Sequence, residues 1–186
     1  NGYYYYTRYE EGKEYPIHCR KKENLEAEEE ILLEVNEMAE GYDYYAVGGR
    51  TVSPDNKLMV YGVDTVSRRK YTLYIKDLET GELYPESIPT TIGFAVWAND
   101  NKTIFYTLKD EVTLRSDKIF KHVLGTPVSQ DEIIYHEEDE TYHTFVYKSK
   151  SDKYLIIGSG STLSDEYRFL DADTPDGEFS VLQERE

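Results

Sequence analysis

Cysteine is nearly missing: Cys19 is the single one among 186 residues, so no disulfide can form within the chain. Such usage fits a reducing compartment, and a cytoplasmic location is expected. No apolar run approaches the ~20 residues of a membrane-spanning helix, so no membrane partner is expected. Basic residues are scarce, 21 Lys plus Arg against 37 Asp plus Glu, for a formal charge of −16. Nucleic-acid binding needs a basic face, so nucleic acid is not an expected partner either. The acidic excess serves solubility, and it can steer a basic ligand toward the surface. Trp97 is the single tryptophan, and phenylalanine occurs six times.

What is abundant is tyrosine, with 19 copies. Its ring favours strands and half-buried positions where the hydroxyl stays wet. Hydrophobic content of 39% is that of a folded chain, and 186 residues can bury one real core. The opening Asn1-Gly2-Tyr3-Tyr4 has no initiator Met and no signal-peptide layout. It reads as the middle of a β-hairpin, so a chain cut from a longer protein is expected.

Residues 3–8 and 15–20 are β-prone and flank the turn Glu11-Gly12-Lys13, a hairpin pattern. Residues 24–40 are ambiguous. Leu25, Ile31, Leu32, Val35, Met38 and Ala39 stand at helical spacing, yet residues 30–35 also suit an outer strand followed by a helical turn at 36–40. The internal repeat favours the strand. Residues 42–52 are extended, and Gly48-Gly49 within them predicts a bulge or a close backbone approach, with a bound ligand as the alternative reason.

Residues 53–83 hold a repeating unit. Ser53-Pro54-Asp55-Asn56-Lys57 precedes Leu58-Met59-Val60-Tyr61; Ala98-Asn99-Asp100-Asn101-Lys102 precedes Thr103-Ile104-Phe105-Tyr106; Ser149-Lys150-Ser151-Asp152-Lys153 precedes Tyr154-Leu155-Ile156-Ile157. Asp and Asn suit these turns because their side chains bond nearby backbone and tolerate the left-handed conformation. The spacing is 45 residues from Asp55 to Asp100 and 52 from Asp100 to Asp152. Lys76 and Lys121 each follow their turn aspartate by 21 residues, and Phe169-Leu170-Asp171 takes the same place about three residues early. Residues 87–92 and 94–97, then 131–135 and 141–148, supply further strands, and 179–183 a last outer one.

A repeat of roughly 40–50 residues with four short strands is the mark of a β-propeller blade. The expected fold is therefore all-β, a partial propeller. A blade remnant covers about residues 1–40, and three full blades cover about 42–92, 93–136 and 141–183. Such a chain is an arc of a larger ring, not a closed one.

The run Gly2-Tyr3-Tyr4-Tyr5-Tyr6-Thr7-Arg8-Tyr9-Glu10-Glu11-Gly12-Lys13-Glu14-Tyr15-Pro16 resembles the propeller start of oligopeptidase B (protease II) in the prolyl oligopeptidase family. So do Glu30-Ile31-Leu32-Leu33-Glu34-Val35-Asn36-Glu37-Met38-Ala39, Tyr44-Tyr45-Ala46-Val47-Gly48 and, most closely, residues 52–83. The likeness weakens after Ser161. The resemblance implies a serine peptidase in which a seven-bladed propeller caps an α/β-hydrolase domain. It implies short peptide substrates cut after Arg or Lys, with the propeller gating access. The Ser, Asp and His of such enzymes belong to the hydrolase domain, which follows the propeller and is expected to be absent here. No catalytic, cofactor-binding or metal residue is therefore carried over. The expected partners are that hydrolase domain and short basic peptides.

Other constellations have a bland reading beside a chemical one. Gly158-Ser159-Gly160-Ser161 lacks the Gly-x-Ser-x-Gly spacing of a nucleophile elbow, and a hairpin turn is expected there instead. Leu163 spoils a dinucleotide fingerprint. His136 and His143 flank Glu137-Glu138-Asp139-Glu140; a charged, solvated connection is expected rather than a metal site. Glu26-Ala27-Glu28-Glu29-Glu30 could carry glycosidase carboxylates, although adjacent surface glutamates are usually just solvated. Arg68-Arg69-Lys70 is expected to be a hairpin tip that balances local charge, and Trp97 to be core. Two other function classes remain open: a stand-alone propeller that binds proteins, and a propeller hydrolase acting on glycans.

Overall fold

The computed structural model describes residues 2–185. Its strands are β1 (Tyr3–Arg8), β2 (Ile17–Lys22), β3 (Glu29–Glu34), β4 (Ala46–Val52), β5 (Leu58–Asp64), β6 (Tyr71–Asp77), β7 (Leu83–Trp97), β8 (Thr103–Lys109), β9 (Ser116–Val123), β10 (Glu132–His136), β11 (His143–Lys148), β12 (Tyr154–Gly160), β13 (Asp165–Asp171) and β14 (Ser180–Gln183). One helical turn, α1 (Val35–Met38), follows β3. All pairing is antiparallel, in three sheets: β1-β2-β3, then β10-β9-β8-β7-β6-β5-β4, then β11-β12-β13-β14. The expected all-β architecture is present, and the ambiguous segment after Asn24 is strand then turn.

The seven-stranded sheet is two four-stranded meanders that share β7. Its first half pairs with β6 through Leu73↔Ile88 and Tyr74↔Ser87, and its second half with β8 through Ala95↔Tyr106 and Trp97↔Ile104. Two strands were expected here, over 87–92 and 94–97. One bent strand replaces them, because Thr90 and Gly93 turn the chain in the left-handed region (φ 61° and 85°) while ladder bonds continue on both sides.

Side-chain alternation explains why the units stack. In β5, Leu58 and Val60 point into one core with Leu73, Ile75, Ile88, Ala95, Trp97, Ile104 and Tyr106. Met59, Tyr61 and Val63 point the other way, against Leu32 and Leu33 of the first sheet, Val35 of α1 and Tyr45 just before β4. In β8, Ile104 and Tyr106 face the first of these cores, while Phe105 joins Ile119, Val146, Leu155, Ile157 and Leu170 between the second meander and the last sheet. A central strand in such a stack is apolar on both faces, which is why β5 is buried throughout.

The repeated turns close each unit, with two corrections. Asn56, Asn101 and Asp152 are the left-handed residues (φ 65°, 59° and 59°), so Asp152 matches Asn56 and Asn101, and Ser151 matches Asp55 and Asp100. The second spacing is therefore 51 residues, one fewer than the aspartate count implied. The 21-residue phase also drifts. The Lys57 carbonyl accepts from Leu78, the Lys102 carbonyl from Leu124 and the Lys153 carbonyl from Ala172, which are 21, 22 and 19 residues on. A register shift at Leu108/Lys109 takes up one residue in the second copy, and the third has a shorter loop between its strands. Asp55 and Asp100 act as expected: each accepts backbone N–H groups within its own turn, from Lys57 and from Lys102 with Thr103.

Candidate functional site

The first strands of three successive units, β4, the second half of β7, and β11, open on one cleft of about 660 Å³. Arg50, Phe94, Trp97, Tyr147 and Lys148 are among its lining residues. Cross-unit bonds fix its walls. The Thr51 hydroxyl donates to the Ala95 carbonyl at 2.8 Å, and the Trp97 indole Nε1 donates to the Thr51 carbonyl at 3.0 Å. Asn99 Nδ2 donates to Asp173 Oδ1 at 2.7 Å, and Lys148 Nζ donates to Asn99 Oδ1. Partial burial pulls both the Arg50 and the Lys148 pKa below the usual range for these cations. The same crowding acts on His18, which burial, and then the Arg50 charge, depress to about 4.

Replacing Trp97 by phenylalanine is expected to keep the ring packing and lose the bond to Thr51. A cost of about 1 kcal/mol follows, measurable as a lowered urea midpoint with an unchanged slope.

The Gly48-Gly49 bulge is present, as a register shift between Val47 and Arg50. Its reason is backbone proximity: a Cβ on Gly48 would lie 2.9 Å from the Gly93 carbonyl oxygen, and one on Gly49 would lie 2.5 Å from the Phe94 ring.

The other candidates are scattered. Ser159 is not in a hairpin turn, contrary to expectation; it lies within β12, is 1% exposed, and donates to Glu137. The turn comes later, where Ser161 Oγ accepts from the Leu163 and Ser164 N–H groups. Neither serine has a histidine partner among the described residues. His136 lies 3.6 Å from Asp117, and His143 lies 3.5 Å from the Ser116 hydroxyl, so they serve different neighbours. No group of three or more His, Cys, Asp or Glu among the described residues could hold a metal ion.

The connection between those histidines is not simply solvated. Glu137 is buried at 4% exposure and accepts from Ser159, Tyr135, Arg185 and the Asp139 N–H. The acidic run after Leu25 is also partly paired: Glu29 holds Arg8 and the Tyr6 hydroxyl, and Glu30 holds Arg20 at 2.7 Å. Arg68-Arg69-Lys70 is a hairpin tip, and the buried Asp64 carboxylate shapes it by accepting from the Val66, Arg68 and Arg69 N–H groups. Trp97 is core, at 2% exposure.

Sequence reasoning missed Glu137, Asp64 and a third buried polar group, His122. His122 Nδ1 lies 2.7 Å from Asp131, whose other oxygen takes the Tyr106 hydroxyl. The strand alternation offered one signal, since Asp64 extends the two-face-buried pattern of β5 to a charged residue.

The arrangement can cradle an extended chain between aromatic rings and two cations. It offers no nucleophile with a base.

The comparisons with known proteins agree with this fold. Dipeptidyl aminopeptidase BI of Pseudoxanthomonas mexicana is 42% identical over all of this chain, which spans 28% of that relative. Protease 2 of Moraxella lacunata is 35% identical over 98% of the chain, or 27% of its own length. The solved oligopeptidase B of Leishmania major superposes over the whole chain with a TM-score of 0.91 at 31% identity, covering 27% of that structure. The chain thus spans little more than a quarter of the length of these three relatives. Residues 1–186 match the model of the prolyl oligopeptidase N-terminal β-propeller domain, and the chain belongs to that family.

Proposed function

We propose that this chain is a non-catalytic arc of the propeller in an oligopeptidase B-like serine peptidase, where it filters peptides on their way to a hydrolase domain. One observation carries the reading: the first strands of three successive units open on a single cleft of about 660 Å³, a volume that suits a short peptide. The placement of Ser159 supports a non-catalytic role, since the serine lies within a strand at 1% exposure, where a substrate carbonyl has no access to it. The parent enzyme acts on short peptides after Lys or Arg, in a reducing compartment such as the cytoplasm. The net charge of −16 is compatible with drawing in basic peptides.

The test uses the full-length protein. A fluorophosphonate probe is expected to label one serine outside residues 1–186, and cleavage of short peptides is expected to favour Lys or Arg over neutral residues. Ser159→Ala is expected to leave labelling intact. Labelling of Ser159, or no labelling and no peptide cleavage, would sink the proposal.

A further inference from the structure

The cleft shared by β4, β7 and β11 holds an arginine that no anion neutralises among the described residues. Arg8, Arg20, Arg168 and Arg185 are ion-paired to Glu29, Glu30, Glu166 and Glu137. Arg115 donates to three backbone carbonyls. Arg68 and Arg69 stand exposed at a hairpin tip. Arg50 instead lines the cleft, and among the described residues no hydrogen bond, ion pair or aromatic ring engages its guanidinium. With 37 Asp plus Glu against 21 Lys plus Arg, the chain does not lack anions that could have been placed there.

The backbone is bent to put it there. β4 shifts register between Val47 and Arg50, so Arg50 stands opposite Tyr61. Facing residues of paired strands share a side of the sheet, so Arg50 lies with Tyr61 on the side of the first sheet, whose Tyr5 and Leu32 also line the cleft. Bulges of this kind re-aim a side chain. Partial burial lowers the Arg50 pKa, and no carboxylate opposes that effect. Burial lowers the Lys148 pKa too, but there Asp152, Asp173 and Asp100 oppose it, and Nζ is spent on Asn99. The buried His18, depressed to about 4 by burial and then by the Arg50 charge, is neutral at ordinary pH and takes no share of that charge. A partly dehydrated cation without a counter-charge is what an incoming anion stabilises most.

We infer that the cleft binds its ligand through a carboxylate, gripped by the Arg50 guanidinium, with Lys148 adding longer-range attraction. The planar guanidinium fork matches a carboxylate with two parallel N–H···O bonds, which an ammonium cannot do. That the carboxylate belongs to a short peptide rests on the function proposed above; the preference for an anion does not. A peptide can offer its C-terminal carboxylate or an acidic side chain. A fixed anion point selects ligands by where their negative charge lies, which filtering by size alone does not.

The test is calorimetric titration of the full-length protein, with any serine that a fluorophosphonate labels first changed to alanine. The ligands are acetyl-alanyl-lysyl-alanyl-alanine with a free C-terminus, the same peptide as its C-terminal amide, and an amidated version ending in glutamate. At least one of the two acidic ligands is expected to bind about tenfold tighter than the neutral amide, with the difference shrinking as salt is raised. The arm that shows the preference identifies the source of the carboxylate. Arg50→Gln is expected to abolish the preference, Arg50→Lys to restore part of it, and Lys148→Gln to weaken it only about two- to threefold. Arg50 is exposed and unbonded, so both of its variants are expected to unfold at the wild-type urea midpoint. Absence of binding, equal affinity for all the ligands, or an acid preference that persists in Arg50→Gln would overturn the inference. Peptide cleavage in a protein whose binding ignores the carboxylate and Arg50 removes this inference alone. Carboxylate binding that depends on Arg50 in a protein without peptidase activity removes the proposed function alone.

Discussion

Replacing Glu137 by alanine is expected to cost roughly 3 kcal/mol of folding stability. The carboxylate joins β10 to the last sheet. It accepts from Tyr135 and the Asp139 N–H on one side, and from Ser159 and Arg185 on the other. Removing it strands the Ser159 hydroxyl in a site 1% exposed, and it leaves Arg185 over the Tyr142 ring without its anion. Breaking a buried pair from one side is costly because the surviving partners lose solvation and gain nothing.

The same group predicts a pH dependence. Burial alone would raise the Glu137 pKa, but hydrogen bonds from Ser159, Arg185, the Asp139 backbone and Tyr135 outweigh it and bring it from 4.5 to about 2. A depressed carboxylate stabilises the fold fully above its unfolded value, and that contribution fades as pH falls from 4.5 through 2. Urea unfolding followed by the fluorescence of the buried Trp97 is expected to show this acid-side loss in the wild type. The loss is expected to be smaller in Glu137→Gln, with the remainder coming from other depressed carboxylates such as Asp100. Equal acid sensitivity in both would remove Glu137 as its source.

The second large effect is expected at Gly93, where alanine should cost about 2–4 kcal/mol. Its φ is 85°, and a Cβ there would lie 2.5 Å from the Tyr71 ring. Across the same contact, a Cβ on Gly62 would meet the Gly93 Cα and oxygen at 2.6 Å. Gly93 also sits at the bend of β7, where its N–H donates to the Thr91 hydroxyl and that hydroxyl donates to the Tyr71 carbonyl. A side chain here forces apart the strands that carry Gly62, Tyr71 and Gly93. Gly81 provides the control: its φ is 79°, yet a Cβ would meet nothing within 4 Å, so alanine there is expected to cost only about 1 kcal/mol. Equal losses at the two positions in thermal unfolding would show that backbone conformation, and not close approach, sets the Gly93 penalty.

The contrast between those glycines shows where sequence reading stops. Gly81 was legible, because Lys76-Asp77-Leu78-Glu79-Thr80-Gly81 is a turn by local chemistry alone, with the Asp77 carboxylate accepting from Glu79 and Thr80. Gly93 was not, because what makes it irreplaceable is Tyr71, which reaches it through strand pairing. Glu137 failed to stand out for the same reason. Beside Glu138, Asp139 and Glu140 it reads as one more solvated charge, and only Ser159, 22 residues on, and Arg185, 48 residues on, make it a buried anchor.

The sequence by itself determined the all-β class, the repeating four-stranded unit, most strand positions and the turn chemistry. These follow from side-chain alternation and from backbone preferences that act within a few residues. It also carried the resemblance to oligopeptidase B, through the order of its turns and its opening tyrosines. Only the tertiary structure decided that β7 serves two units, that three first strands share one cleft, and that Asp64, Asp117 and Glu137 are buried carboxylates with different partners. Strand register and the stacking of one sheet on the next set those facts. Both depend on contacts between residues far apart in the chain, which no local pattern encodes.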